Sequence, residues 1–269
     1  MLVIGENINA TNKSIAEAII SRNEELLANI ARSQAAAGAD FIDVNAGIGQ
    51  QSEEEQMQAM EWLVEVVQTA TDKPLTIDSD NSKVLEAGLR KSRGDKILIN
   101  SATAENERLE TVGHLVADYQ AGLIALAMGE EGIPETVEKR LEACDKIITY
   151  LTKLGIKAEQ IYFDPLVLPI AVDAKQAQVT LKTIEEIKSH YPEAKTVIGL
   201  SNISYGLPMR KLVNRSFMLM AAYAGLDAII VNPLDSKMMS LIKVAGMLTG
   251  KDASCRSYMR AHRAGKIVD

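Results

Sequence analysis

The polar residues that close the short apolar runs of this chain are almost all carboxylates and carboxamides. They read Glu6-Asn7-Ile8-Asn9, Asp43-Val44-Asn45, Asp78-Ser79-Asp80-Asn81, Asn100-Ser101, Asp164-Pro165, Ser201-Asn202 and Asn232-Pro233. Any one of these is ordinary turn or cap chemistry, because Asp and Asn bond their own backbone two residues on. The same choice at seven of eight run ends carries more weight, since only Leu126-Ala127-Met128-Gly129 departs from it. So many polar groups gathered at one end of a fold cost free energy unless they bond each other or a ligand. A carboxylate accepts two hydrogen bonds from an amidine-like N–H pair, and a carboxamide both donates and accepts. Such a set suits a flat heterocycle with alternating donors and acceptors, of which a pterin ring with its 2-amino and N3–H edge is an example. A magnesium site built from Glu6, Asp43, Asp78 and Asp164 is the competing use of the same side chains.

Absences narrow the chemistry further. No Lys closes any of these runs, which disfavours a Schiff-base aldolase, and no Cys stands there as a nucleophile. His114, His190 and His262 fall in helical segments or their exits, leaving little material for a His-ligated metal or a Ser-His-Asp triad. A Gly-rich phosphate loop after the seventh or eighth run is missing as well. The substrate expected is a neutral, hydrogen-bonding molecule rather than a sugar phosphate, and no resident metal is expected.

The elements that must position these residues follow from the apolar pattern. Eight β-branched runs, at 2–9, 41–47, 75–81, 97–103, 123–129, 161–169, 196–204 and 228–235, start 39, 34, 22, 26, 38, 35 and 32 residues apart. That interval is what a strand, a loop and a crossover helix consume. Amphipathic helices are expected between the runs. One spans 14–37 and stops at Gly38; another opens at Pro134 and closes at Gly155; a third begins at Asn214 or Ser216 and ends at Gly225. Eight strand-helix units predict a closed (β/α)₈ TIM barrel, a single domain over 1–269, whose chemistry sits at the C-terminal strand ends. An open doubly wound sheet is the structural alternative, but its Gly-rich dinucleotide fingerprint is not supplied by Gly5-Glu6-Asn7-Ile8-Asn9.

Composition agrees with one globular unit: 269 residues, 47% hydrophobic and 24% charged, with no Pro-, Ser- or Gln-rich stretch. Twenty-nine Lys and Arg against 36 Asp and Glu give a net charge of −7, the wrong sign for a nucleic-acid groove. Arg256, Arg260, Arg263 and Lys266 form the one basic cluster and read as a solvated helix face. No stretch has the length of a membrane span, and Met1-Leu2-Val3-Ile4 leads into Gly5-Glu6 without a signal-peptide pattern. With only Cys144 and Cys255, far apart, the expected location is the cytoplasm.

In this order and on these strands the motifs resemble the pterin-binding methyltransferases, specifically the methyltetrahydrofolate:corrinoid/iron-sulfur protein methyltransferases, over essentially the whole chain. The matching pieces are Ile4-Gly5-Glu6-Asn7-Ile8-Asn9, Asp43-Val44-Asn45-Ala46-Gly47, Met60-Glu61-Trp62-Leu63-Val64-Glu65-Val66, Ile77-Asp78-Ser79 and Ile99-Asn100-Ser101. Phe163-Asp164-Pro165-Leu166-Val167-Leu168-Pro169, Gly199-Leu200-Ser201-Asn202-Ile203-Ser204 and Asn214-Arg215-Ser216-Phe217 complete them. The resemblance implies a pterin held by Asp78, Asn100 and Asp164, with Asn202 against N5, and Glu6, Asn9, Asp43, Asn45 and Ser201 in support. Many family members carry Arg where this chain has Asn7.

The activity so implied moves a methyl group between N5 of tetrahydrofolate and the cobalt of a corrinoid. Tetrahydrofolate or 5-methyltetrahydrofolate would be the substrate. Corrinoid-carrying domains similar to those of methionine synthase use Asp-x-His-x-x-Gly, whereas His262-x-x-Gly265 is preceded by Arg260. The corrinoid is therefore expected on a separate protein that docks transiently over the barrel mouth, and the resemblance implies a homodimer. Two alternatives stand beside this. Dihydropteroate synthases share the barrel and pterin pocket but need a Lys after strand seven, where this chain has Ser201-Asn202-Ile203-Ser204-Tyr205-Gly206. A folate-binding subunit without turnover is the other.

Overall fold

Strands form where aliphatic residues come in short blocks, and each block here runs parallel to the next. The computed structural model describes residues 1–49 and 51–268. The strands are β1 (Leu2–Asn9), β2 (Phe41–Asn45), β3 (Leu75–Asp78), β4 (Ile97–Ala102), β5 (Gly122–Leu126), β6 (Ile161–Asp164), β7 (Lys195–Gly199) and β8 (Ala228–Val231). They pair in sequence order, and β1 closes on β8 through Leu2↔Ala228 and Ile4↔Ile230, giving a closed parallel barrel. The helices between and after them are α1 (Lys13–Ile20), α2 (Glu24–Ala37), α3 (Glu53–Ala70), α4 (Ser82–Lys91) and α5 (Asn106–Asp118). The rest are α6 (Val137–Lys153), α7 (Gln176–His190), α8 (Arg210–Tyr223), α9 (Ser236–Leu248) and α10 (Arg256–Arg263).

Period-two alternation sorts each strand into an inner and an outer face. Ile4, Phe41, Leu98, Ile124, Tyr162, Val197 and Ala228 pack on one another and fill the lumen. Two residues further along, the inner face turns polar: Glu6 follows Ile4, Asp43 follows Phe41, Asn100 follows Leu98 and Asp164 follows Tyr162. The lumen is thus plugged by hydrocarbon, and the polar ring rides directly above the plug. The outer face meets the helices in two clusters. Ile42, Val44, Ile77, Ile99, Leu123, Ile161 and Phe163 pack under α2 to α6, whereas Val3, Ile198, Ile229 and Val231 pack under α7 to α9. Burying one such side chain is worth about 1.5–3 kcal/mol.

Several boundaries differ from the sequence expectation. The helix expected over 14–37 is broken: α1 ends at Ile20, Arg22 takes a φ of 53°, and Asn23 caps α2 by accepting from the Leu26 N–H at 3.1 Å. Gly38, at φ 106°, does end α2 in the left-handed conformation that Gly adopts without a Cβ clash. Thr136, rather than Pro134, caps α6. Arg210, not Asn214 or Ser216, opens α8. The sixth run stops at Asp164, before Pro165, which has no N–H to continue a ladder, and Leu166 turns away at φ 68°. The seventh stops at Gly199 and continues as a 3₁₀ turn over Leu200–Ser204. His114, His190 and His262 lie in α5, α7 and α10 as expected. No helix among the described residues is long and apolar enough to cross a membrane.

Candidate substrate-binding cleft

Parallel register puts Asn9 beside Asn45, Asn45 beside Asp78, and Asp78 beside Asn100, so one level of the barrel mouth carries four polar side chains on four adjacent strands. Asp43 lies one inward position below Asn45. The carboxamides pair with the carboxylates: Asn45 Nδ2 donates to Asp78 Oδ2 at 2.9 Å, and Asn100 Nδ2 approaches Asp43 Oδ1 at 3.4 Å. Asn45 Oδ1 accepts from the Gly47 N–H at 2.9 Å, which leaves Asn45 committed to the wall. Asn9 Oδ1 accepts from the Thr11 N–H and hydroxyl at 3.0 and 2.7 Å and holds the turn into α1.

Above this level opens a cleft of about 880 Å³. Glu6, Asn9, Asp43, Asp78, Asn100, Ser201 and Asn202 all line it, so strands β1 to β4 and the turn after β7 converge there. Asn202 is exposed on the cleft wall. Asp164 and Asn45 are not among the lining residues. Asp164 is buried at the end of β6, where its Oδ1 accepts from the Leu166 N–H at 2.8 Å.

The site keeps protons. Burial pushes Glu6 up to about 7, opposed by the Asn232 N–H and the Arg210 charge. Burial likewise raises Asp78 and Asp164 to about 6. Asp43 is held well above the usual carboxylate range, first by burial and then by the neighbouring Asp78 charge. Carboxyls that stay protonated close to neutral pH can donate as well as accept. Among the described residues no group of three or more His, Cys, Asp or Glu side chains is arranged to hold a metal ion.

Three supporting residues escaped the sequence reading. Arg108 on α5 donates to the carbonyls of Ser79, Asp80 and Ser101, tying together the turns that leave β3 and β4. Arg140 on α6 is fully buried. It donates to the carbonyls of Pro134, Pro165 and Leu166, fixing the turn that carries Asp164, and to Gln176 Oε1 at 2.8 Å. Gln34 on α2 accepts from the Asn7 N–H at 3.0 Å, inside the irregular stretch of β1 that presents Glu6. A Cβ on Gly5 would stand 2.4 Å from Gln34 Oε1, so Gly there permits the contact. Asn7, in place of the Arg of many family members, donates from Nδ2 to Asn232 Oδ1 at 2.9 Å.

A closed barrel with this cleft at the carboxyl ends of its strands defines a ligand-binding TIM-barrel protein. Residues 5–232 match the family described as pterin binding enzyme, and the chain belongs to that family. It is similar to the methylcorrinoid:tetrahydrofolate methyltransferase of Eubacterium limosum, 34% identical over 271 residues that take in 99% of this chain and 98% of that protein. It is also similar to the methionine synthase of Mycobacterium tuberculosis, 31% identical over 258 residues, covering 91% of this chain but 21% of that much longer protein. Two solved structures share the fold. A dihydropteroate synthase of Coxiella burnetii in complex with pteroic acid superposes with a TM-score of 0.70 at 13% identity, covering 93% of this chain and 94% of that one. The Yersinia pestis enzyme with a pterine-sulfa conjugate gives 0.68 at 17% identity, covering 94% of each chain. At those identities the likeness is one of fold.

Proposed function

We propose that this protein is a methyltransferase that moves a methyl group between N5 of tetrahydrofolate and the cobalt of a corrinoid carried on a separate protein. The observation that carries this is the level row of Asn9, Asn45, Asp78 and Asn100 with its two carboxylate–carboxamide pairs at the cleft floor. The whole-length similarity to a methylcorrinoid:tetrahydrofolate methyltransferase supports the same reading. Asp78, Asn100 and Asp164 take the pterin edge. Asn202 faces N5. Glu6, Asn9, Asp43, Asn45 and Ser201 support them, and the corrinoid protein docks transiently over the mouth of a barrel domain that spans 1–269, within a cytoplasmic homodimer.

In the direction that methylates cobalt, the N5–CH₃ bond breaks, its electron pair stays on N5, and Co(I) supplies the pair for the new Co–C bond. A tertiary amine is a poor leaving group, so N5 must be protonated or strongly hydrogen-bonded as charge develops. The Asn202 amide releases no proton near pH 7 and helps by hydrogen bonding. The net proton comes from water or from a carboxylate network involving Asp43, which pairs with Asn100, or Asp78, which pairs with Asn45; burial raises both carboxyls above the usual range. The test is to mix the protein with 5-methyltetrahydrofolate and cob(I)alamin and follow the cobalt spectrum. Methylcob(III)alamin is the expected product. Tight folate binding without any cobalt methylation would refute the proposal and leave a binding subunit.

A further inference from the structure

Behind the wall that carries Asp164 lies a charge the proposed reaction does not use. Arg140 on α6 has no exposed surface, and every acceptor its guanidinium meets among the described residues is neutral. Nε donates to the Pro134 carbonyl at 3.0 Å, one terminal nitrogen to the Pro165 and Leu166 carbonyls at 2.7 and 3.0 Å, and the other to Gln176 Oε1 at 2.8 Å. A guanidinium does not shed its proton near neutral pH, and a buried charge without a counter-charge is costly. Neutral donors could hold a turn equally well, so the charge calls for a separate reason.

Asp164 meets Arg140 through one turn. Its Oδ1 accepts from the Leu166 N–H at 2.8 Å, while the Leu166 carbonyl accepts from Arg140 and, at 2.8 Å, from the Thr180 hydroxyl. Leu166 is thus held at both ends in a φ of 68°, a conformation that a bulky side chain takes only where its surroundings impose it. The neighbours that the other elements bring to this turn are neutral: Leu126 beside Asp164 on β5, the Gly199 N–H from β7, and Gln176 and Thr180 on α7. Burial raises the Asp164 carboxyl to about 6, and the Leu166 N–H and the Arg140 charge oppose that rise. In return, Asp164 opposes the lowering that burial imposes on Arg140.

We propose that Arg140 is a positioning residue for substrate binding, acting through Asp164 from outside the cleft: it fixes the turn on which Asp164 leans and supplies its counter-charge, so that the pterin edge meets an anion. The inference rests on the tetrahydrofolate reading above, in which Asp164 accepts from the ring, and adds what keeps that acceptor charged.

The test reads two quantities on the intact protein. One is the ionisation midpoint of the Asp164 carboxyl, from carbon-13 spectra of aspartate-labelled protein assigned with Asp164→Asn. The other is the Kd of 5-methyltetrahydrofolate, by titration calorimetry from pH 5.5 to 8.5. In Arg140→Met the midpoint should rise by about one pH unit. The ionised fraction at pH 6.5 then drops from about three quarters to about one quarter, so the Kd there should rise about threefold over wild type, with the ratio shrinking toward pH 8.5. Asp78 titrates in the same range in every variant, so the ratio cancels it. Arg140→Lys, which keeps the charge, should bring the midpoint back to within about half a unit. Because Arg140→Met strips a donor from three carbonyls and can cost the fold, Gln176→Glu is measured beside it. A carboxylate there pairs with Arg140 directly, gives up only the bond from Gln176 to Asp173, and should raise the Asp164 midpoint in the same direction. A midpoint unmoved in whichever of these two variants folds, or a Kd ratio that is the same at every pH, would overturn the inference and leave Arg140 a brace of the wall. Asp164→Asn that binds folate as tightly as wild type would remove Asp164 from the site and overturn it as well. Wild-type protein that binds no folate would overturn the tetrahydrofolate reading instead, while the titration, which needs no ligand, still decides the pairing of Arg140 with Asp164.

Discussion

Glu6 offers a stability test whose size can be worked from its surroundings. Burial moves its carboxyl from the ordinary 4.5 to about 7, and each tenfold change in proton affinity is worth about 1.4 kcal/mol. Below pH 4.5 the group is protonated in folded and unfolded chains alike. As pH rises from there toward 7, the unfolded chain releases the proton that the folded chain keeps, and stability falls. Above pH 7 both forms are ionised and the loss is complete, at roughly 3 kcal/mol. Glu6→Gln keeps the shape and the oxygen that accepts from the Asn232 N–H, but has no proton to lose. Urea unfolding of the two proteins at pH 5 and pH 8 should show the difference in ΔG moving by about 2 kcal/mol in favour of the Gln variant at the higher pH. A difference that stays constant within about 0.5 kcal/mol would refute the claim that Glu6 sits protonated in the fold.

Other expectations follow from the same contacts. Asn202→Ala should slow methyl transfer at least tenfold while changing the folate Kd less than threefold, and turnover within twofold of wild type would remove Asn202 from the reaction. Arg108→Met leaves the carbonyls of Ser79, Asp80 and Ser101 without their donor; a loss of about 2–3 kcal/mol in unfolding free energy is expected. Folate affinity should weaken with it, read by calorimetry, because Asp78 and Asn100 ride on those turns. Gly88→Ala would set a Cβ 2.8 Å from Ile77 Cγ2 and 2.9 Å from Met60 Cγ, under α4 and away from the cleft. It should cost about 1–3 kcal/mol in a denaturation curve and leave the folate Kd of the folded protein where it was.

All eight strands were legible because an aliphatic block of four to eight residues has few other uses, and the polar ring was legible because carboxylates and carboxamides recur at the ends of seven of the eight blocks. Their ends were not. Asp164-Pro165-Leu166 reads as apolar strand continuation through Leu168, and what stops it is a missing N–H and one positive φ, neither of which changes hydropathy. The break between α1 and α2 was hidden for a similar reason: Ile15, Ile19, Leu27 and Ala31 all face the core, so the apolar periodicity runs on across Ser21-Arg22-Asn23. Arg108 and Arg140 were invisible because they bond mainly to main-chain carbonyls, which leave no signature in residue type. Within the proposed site, the convergence of Glu6, Asp43, Asp78, Asn100 and Asn202 on one cleft agrees with the order of motifs. The seclusion of Asp164 in the wall could not be read, since it depends on how the next two residues turn.

The seam between β1 and β8 bears on when this protein can first work. Leu2 donates its N–H to the Asp227 carbonyl at 2.8 Å, and Val3 pairs with Ile229 across the same seam. Glu6 therefore waits for a strand made more than two hundred residues after it before the wall beside it exists. A ribosome adding residues one at a time exposes the inner faces of seven strands before the eighth can seal them, a topology dominated by distant contacts. A ligand that fills the cleft can stabilise only the sealed ring. In a cell short of that molecule, nascent copies would lose a ligand that rewards closure, and protein abundance would track substrate supply without any regulator in between.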